Sequence, residues 1–186
     1  MPVSVLRNFV LGTLILIAAL IAGGFLLPET ARVERSTLVA ASPAQIFPLV
    51  NGFTRFNDWQ PWAKLDPGMK IERSGPAEGV GARQAWFSEH KAVGSGSLEV
   101  LESVPAERVR MRVQYTGFEA DNTSTFTLQP EGEGTRVTWA YETHVGSNLL
   151  GRYFGLMLDG MVGKDYETGL LNLKLLAERE AGQPAR

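Results

Sequence analysis

The chain has 186 residues, 44% of them hydrophobic and 20% charged, which suits one globular domain with a short appendage and excludes a disordered chain. Its 18 basic and 20 acidic residues leave a net charge of −2, with no basic footprint for nucleic acid. There is no cysteine, so disulfides, thiolate metal sites and cysteine nucleophiles are all excluded.

The first element is apolar throughout. From Phe9 to Leu27 runs "FVLGTLILIAALIAGGFLL", 19 residues in which Thr13 is the only polar side chain. As a helix it would reach about 28 Å, close to the hydrocarbon thickness of a bilayer. A cleaved signal peptide would have a shorter core and a small-x-small site after it, whereas "LLPETAR" follows here. No face is polar enough for a helix buried in a globular domain. The reading is a retained single span over residues 9–27, inside an anchor of residues 1–31. Arg7 and the free amino terminus favour the cytoplasmic side, with Arg32 and Arg35 counting against them. A bacterial inner membrane with the domain on the outer face is expected.

The soluble part, residues 32–180, opens with a β-branched strand from Arg32 to Val39. Ser42 is then a natural N-cap with Pro43 at the first helical position, and Ile46, Leu49 and Val50 form a helical stripe. A second short turn over Phe53–Asp58 leads into "NDWQPWAKLDP", which holds two of the four tryptophans in a Pro-broken segment that is neither a long helix nor a strand. Strands are expected at Met69–Ser74, Ala82–Ser88, Ser97–Val104, Arg108–Thr116, Asn122–Gln129 and Arg136–Val145, joined by Gly-, Pro- and acid-rich turns. In "RVRMRVQY", Val109, Met111, Val113 and Tyr115 alternate with Arg108, Arg110, Arg112 and Gln114. Val137, Trp139, Tyr141, Thr143 and Val145 likewise share one side. That pattern describes an antiparallel sheet covered on one face only. The last forty residues have helical spacing, with a kink expected near Asp159 because Gly160 and Gly163 are poor helix formers. Residues 181–186 read as a frayed tail. The C-terminal helix is the only element long enough to cover the sheet, and such an arrangement commonly encloses space.

Four stretches carry a resemblance: "WQPWAKLDP", "GVGARQAWF", "GTRVTWAYE" and "GKDYETGLLNLKLLAE". Over residues 33 to 180 the chain resembles the START-like, helix-grip (SRPBCC) superfamily, and in particular its bacterial polyketide cyclase/dehydrase-like branch. The resemblance implies an α+β fold in which about seven curved antiparallel strands grip a long C-terminal helix. It does not specify chemistry, because members of such a superfamily bind apolar molecules, close rings or assist other proteins. It also implies that the Trp segment looks across at the mouth of a cavity, with Trp59 and Trp62 as plug or wall; the alternative is that the pair seals the core.

Candidate chemistry is sparse. His90 lies in a hairpin loop and His144 at a strand end, both read as surface residues. No HExxH or paired-His spacing occurs, so neither a metal nor another cofactor is expected. Asp165, and less so Asp159, lie on the side of the last helix that carries Met161 and Tyr166. If Asp165 faced a cavity, burial would raise its pKa and make it, with Tyr166, an acid/base candidate. In the alternative, Lys164, Asp165 and Glu167 decorate the solvent face. Arg108, Arg110 and Arg112 form an outer stripe, solvated or facing anionic headgroups. The apolar set Trp59, Trp62, Trp86, Met111, Phe126, Trp139, Tyr153, Phe154, Met157 and Met161 suits a ligand wall or an ordinary core. Three functions stay open: a membrane-tethered binder of a hydrophobic small molecule or lipid, a cyclase or dehydratase, and a ligand-free interaction or stress-response module.

Overall fold

The computed structural model describes residues 3–182. The chain order is α1 (Val3–Leu26), β1 (Thr30–Val39), α2 (Pro43–Val50), a 3-10 turn (Phe56–Asp58), α3 (Trp62–Leu65), β2 (Lys70–Ser74), β3 (Arg83–Phe87), β4 (Gly96–Val104), β5 (Arg108–Tyr115), β6 (Phe118–Glu131), β7 (Gly134–His144), α4 (Leu149–Gly155) and α5 (Leu158–Ala181). The strands form one antiparallel sheet in the order β1-β7-β6-β5-β4-β3-β2. This is the α+β helix-grip arrangement, a seven-stranded sheet packed on the long C-terminal helix.

The concave face is the apolar one, as the alternation requires. Val109, Met111 and Val113 of β5 and Val137, Trp139 and Tyr141 of β7 are buried, while Arg108, Arg110 and Arg112 are exposed on the outer face. There Arg108 pairs with Glu102, and Arg112 with Glu99 at 3.1 Å. Tyr166, Leu170, Leu173 and Ala177 of α5 lie at i, i+4, i+7 and i+11 and are all buried against the sheet. The edge strand β1 is covered by the same helix: Lys174 donates to the Leu38 carbonyl at 2.6 Å, and Glu178 accepts from the Ala40 N–H at 2.8 Å. Polar groups of the helix thus satisfy an edge that would otherwise pair with another chain.

One end of the sheet is closed. Ile46, Leu49 and Val50 of α2 pack there with Phe53, Phe56 and Trp59, whose rings meet edge to face at 5.9 and 5.0 Å. The capping box forms as the Ser-Pro start requires, with Gln45 accepting from the Ser42 N–H at 2.9 Å.

Three expectations need correction. The expected Asn122–Gln129 strand runs instead from Phe118 to Glu131, because a tight Thr116–Gly117 turn with Gly117 at φ 81° replaces the expected loop. The helical break falls at Leu156–Met157, near Asp159 as expected, but the glycines expected to cause it do not, since Gly160 and Gly163 lie inside α5. Gly163 is a packing notch, since a Cβ there would sit 2.2 Å from Arg35 Nη2. Arg35 crosses α5 at that notch to reach Asp159 at 2.8 Å and Glu167 at 2.7 Å. Ala181 still belongs to α5, and residues 183–186 of the expected tail lie outside the described residues.

α1 is long and apolar enough to cross a membrane and is exposed along nearly all its length. A signal sequence has the same character.

Candidate functional site

Towards the end opposite α2, the sheet and α5 diverge and enclose a cavity of about 390 Å³. That volume lies within the range of small-molecule sites, roughly 300–1,000 Å³. The sheet supplies Trp86, Leu98, Met111, Val113 and Trp139, α5 supplies Leu158, Val162 and Tyr166, and Trp62 comes from α3. Phe118, Phe154, Met161 and the Ala92–Val93 loop stand at the mouth.

The walls are set by aromatic stacking that local sequence does not reveal. Trp139 is sandwiched between Phe126, with centroids at 4.9 Å, and Tyr166, at 3.8 Å and an interplanar angle of 15°. Gly169 lets this stack approach α5, since a Cβ there would be 2.6 Å from Trp139 Cζ3. Gly96 does the same for Trp86, which would be 2.6 Å from a Cβ at that position.

The tryptophan pair of the Pro-broken segment divides its roles. Trp59 is buried at 1% exposure in the closed end and donates to the Leu49 carbonyl at 3.0 Å. Trp62 stands on the cavity wall and donates through Nε1 to Asp165 Oδ2 at 3.2 Å. Pro61 and a single helical turn point the two rings to different compartments.

Of the ten apolar candidates, Trp62, Trp86, Met111, Trp139, Phe154 and Met161 meet around the cavity. Trp59 and Phe126 lie behind the wall in the core. Tyr153 turns away to α1, donating to the Leu20 carbonyl at 2.6 Å, and Met157 is exposed outside the cavity. Asp165 and Tyr166 both line the cavity, whereas Asp159 is drawn off to Arg35. Lys164 and Glu167 stay on the solvent side. His144 Nδ1 pairs with the Thr30 hydroxyl at 3.0 Å, and His90 caps its own turn, with Nδ1 accepting from the Ala92 N–H at 3.3 Å. Among the described residues no group of three or more His, Cys, Asp or Glu side chains could hold a metal.

Sequence reasoning missed the polar lining. Ser124 Oγ accepts from Trp139 Nε1 at 2.8 Å and lies beside the Tyr166 hydroxyl, while the Tyr115 and Tyr141 hydroxyls lie beside each other. Tyr115 keeps 40% of its surface exposed, but its hydroxyl is the buried end. Burial is the leading cause that raises the pKa of all three tyrosines above the ordinary phenol value, so they stay protonated at neutral pH. Alternation had placed Tyr115 and Tyr141 on the inner face, but no local pattern distinguishes a cavity hydroxyl from a core one. One register step nearer the mouth, Asn122 and Thr143 face each other with Asn122 Oδ1 and Thr143 Oγ1 buried and unpartnered. Gln60 and Gln84 are occupied by Asn57, the Trp62 N–H and Arg73. Among the described residues, Asp165 is the only Asp, Glu, Lys, Arg or His side chain on the wall.

Comparison with known proteins agrees with this architecture. A protein from Thermobifida fusca is similar at 17% identity with a TM-score of 0.62, covering 86% of this chain and 99% of its own. A norcoclaurine synthase from Thalictrum flavum, solved as a point mutant with a transition-state analogue, is similar at 16% identity and TM-score 0.59 over 81% and 96% of the two chains. A protein from Chromobacterium violaceum follows at 18% identity and TM-score 0.53, over 80% and 98%. A search of curated proteins finds no match. At these identities the structures establish the fold alone. The family described as polyketide cyclase/dehydrase and lipid transport matches residues 30–178, all seven strands and nearly all of α5, and the chain belongs to that family.

Proposed function

We propose that this chain is a membrane-tethered binder of an uncharged, amphiphilic hydrophobic small molecule or lipid. The observation that carries the reading is the side-chain inventory of the cavity: apolar walls, a cluster of tyrosine and serine hydroxyls, and Asp165 as the one acidic or basic side chain among the described residues. Among the described residues no Lys, Arg or His lines the wall to receive a carboxylate or phosphate, and desolvating such a group unpaired is strongly unfavourable. A hydroxyl or carbonyl, by contrast, finds partners among the tyrosines at little cost. The α1 helix, taken as a retained span, would hold the cavity beside the source of such molecules.

The test uses the full chain in detergent micelles with a fluorescent apolar probe in the cavity. A twelve-carbon alcohol should displace the probe about tenfold more effectively than the twelve-carbon carboxylate at neutral pH, the difference an unpaired charge imposes at a half-buried site. Equal displacement, or no probe binding in the wild type, refutes the reading.

A further inference from the structure

We propose that α4 and the turn after it seat the mouth of the cavity directly on a lipid bilayer. This rests on the reading of α1 as a span.

Strand register places the entry of α1 at the open end. Thr30, the first residue of β1, lies opposite His144, and His144 lies opposite Asp121. Continuing across the sheet, Tyr115 lies opposite both Phe118 and Gly96, Gly96 opposite Trp86, and Phe87 opposite Lys70. Tyr115, Phe118 and Trp86 belong to the cavity. The chain therefore leaves α1 at the mouth, not at the end closed by α2.

The junction is fixed. Only Leu27, Pro28 and Glu29 separate α1 from β1, and the Glu29 carbonyl accepts from the Val145 N–H at 2.9 Å. Arg152 of α4 is buried at 7% exposure and binds both sides of the junction. Its Nη1 donates to the carbonyls of Phe25 at 3.3 Å and Leu27 at 3.0 Å, its Nη2 to Glu29 Oε1 at 2.8 Å, and its Nε to the Gly146 carbonyl at 2.9 Å. A guanidinium satisfying the last carbonyls of a helix is favoured by their partial negative charge. Gly24 makes room for the contact, as a Cβ there would be 3.2 Å from both Leu149 and Tyr153.

Depth follows from Tyr153. Its hydroxyl meets the Leu20 carbonyl, six residues before the end of α1. At 1.5 Å per residue α4 lies alongside the last ~9 Å of the apolar helix, the depth at which interfacial helices rest. The exposed residues of α4, the turn after it and the start of α5 include an apolar set: Leu150 is 82% exposed, and Phe154, Leu156, Met157 and Met161 are exposed as well. Between Arg152 and Asp159 no residue is charged. Phe154 and Met161 are also at the mouth, so the exposed patch and the cavity wall are continuous. An apolar patch continuous with a spanning helix fits a lipid surface, and a ligand would pass from bilayer to cavity without crossing water.

The cysteine-free chain allows single-site labelling. Full-length Leu150→Cys, Met157→Cys, Ile17→Cys and Glu133→Cys, each carrying an environment-sensitive fluorophore, are reconstituted into phosphatidylcholine vesicles containing nitroxide-labelled lipid. Labels at 150 and 157 should be quenched by nitroxides near the headgroups about tenfold more than the label at 133, as for an interfacial helix. The label at 17 should be quenched by nitroxides near the bilayer centre. If 17 is quenched while 150 and 157 behave like 133, the span stands and the seating is overturned. If 17 is not quenched, the span reading falls and the seating falls with it.

Discussion

Replacing Gly169 with alanine adds one methyl group to the middle of α5, and the structure specifies what it meets. The new Cβ would lie 2.6 Å from Trp139 Cζ3 and 3.3 Å from Pro61 Cδ. Trp139 has little freedom to yield, since Phe126 and Tyr166 stack on its faces and its indole N–H is bonded to Ser124. Intrinsic helix propensity favours alanine over glycine by about 1 kcal/mol. Overpacking by one methyl in a closed core costs about 1–3 kcal/mol, so a net loss of up to about 2 kcal/mol is expected. Gly160 supplies the control within the same helix, because a Cβ there meets nothing within 4 Å. Gly160→Ala should therefore gain about 0.5–1 kcal/mol from propensity alone. The assay is urea unfolding of the full chain in micelles, followed by tryptophan fluorescence. Trp139 lines the cavity, and a displaced ring would intrude on it, so probe binding should weaken in Gly169→Ala and not in Gly160→Ala. Equal changes in stability at the two sites would refute the reasoning, because the clash would then have no energetic reality.

Ser124→Ala removes the acceptor of the buried Trp139 indole N–H and should destabilise the chain by about 1–3 kcal/mol in the same unfolding assay. Asp165→Asn removes the carboxyl group from the cavity wall, and the affinity for a long-chain carboxylate should rise about three- to tenfold while that for the alcohol is unchanged, read by probe displacement. Because burial raises Tyr115, Tyr141 and Tyr166 above their unfolded value, their contribution to stability is fully present below pH ~10 and is lost as pH rises beyond it. Their tyrosinate absorbance should accordingly appear together with unfolding; smooth ionisation in the folded protein, followed by circular dichroism, would contradict the buried placement. Met157→Trp should leave probe binding unchanged, since Met157 lies outside the cavity.

The alternation of Val109, Met111 and Val113 with arginines, and of Val137, Trp139 and Tyr141 with Arg136, Thr138 and Glu142, was sufficient to define the inner and outer faces of the sheet, because side-chain direction in a strand has a period of two. The Ser-Pro helix start, the apolar first helix and the long last helix were legible for the same reason: each is a local pattern. The break before α5 was expected near its place but for the wrong cause, because a glycine is locally a weak helix former, while Gly163 and Gly169 serve contacts with Arg35 and Trp139 that lie far away in sequence. Trp59 and Trp62, three residues apart, differ only in which compartment the tertiary packing opens to each. The hydroxyl cluster of Ser124, Tyr115, Tyr141 and Tyr166 is drawn from four different elements, and the Arg152 junction joins segments more than a hundred residues apart. Amphipathic periodicity decides which face a residue occupies, but whether that face meets another side chain or an open cavity depends on partners that only the folded chain brings within reach.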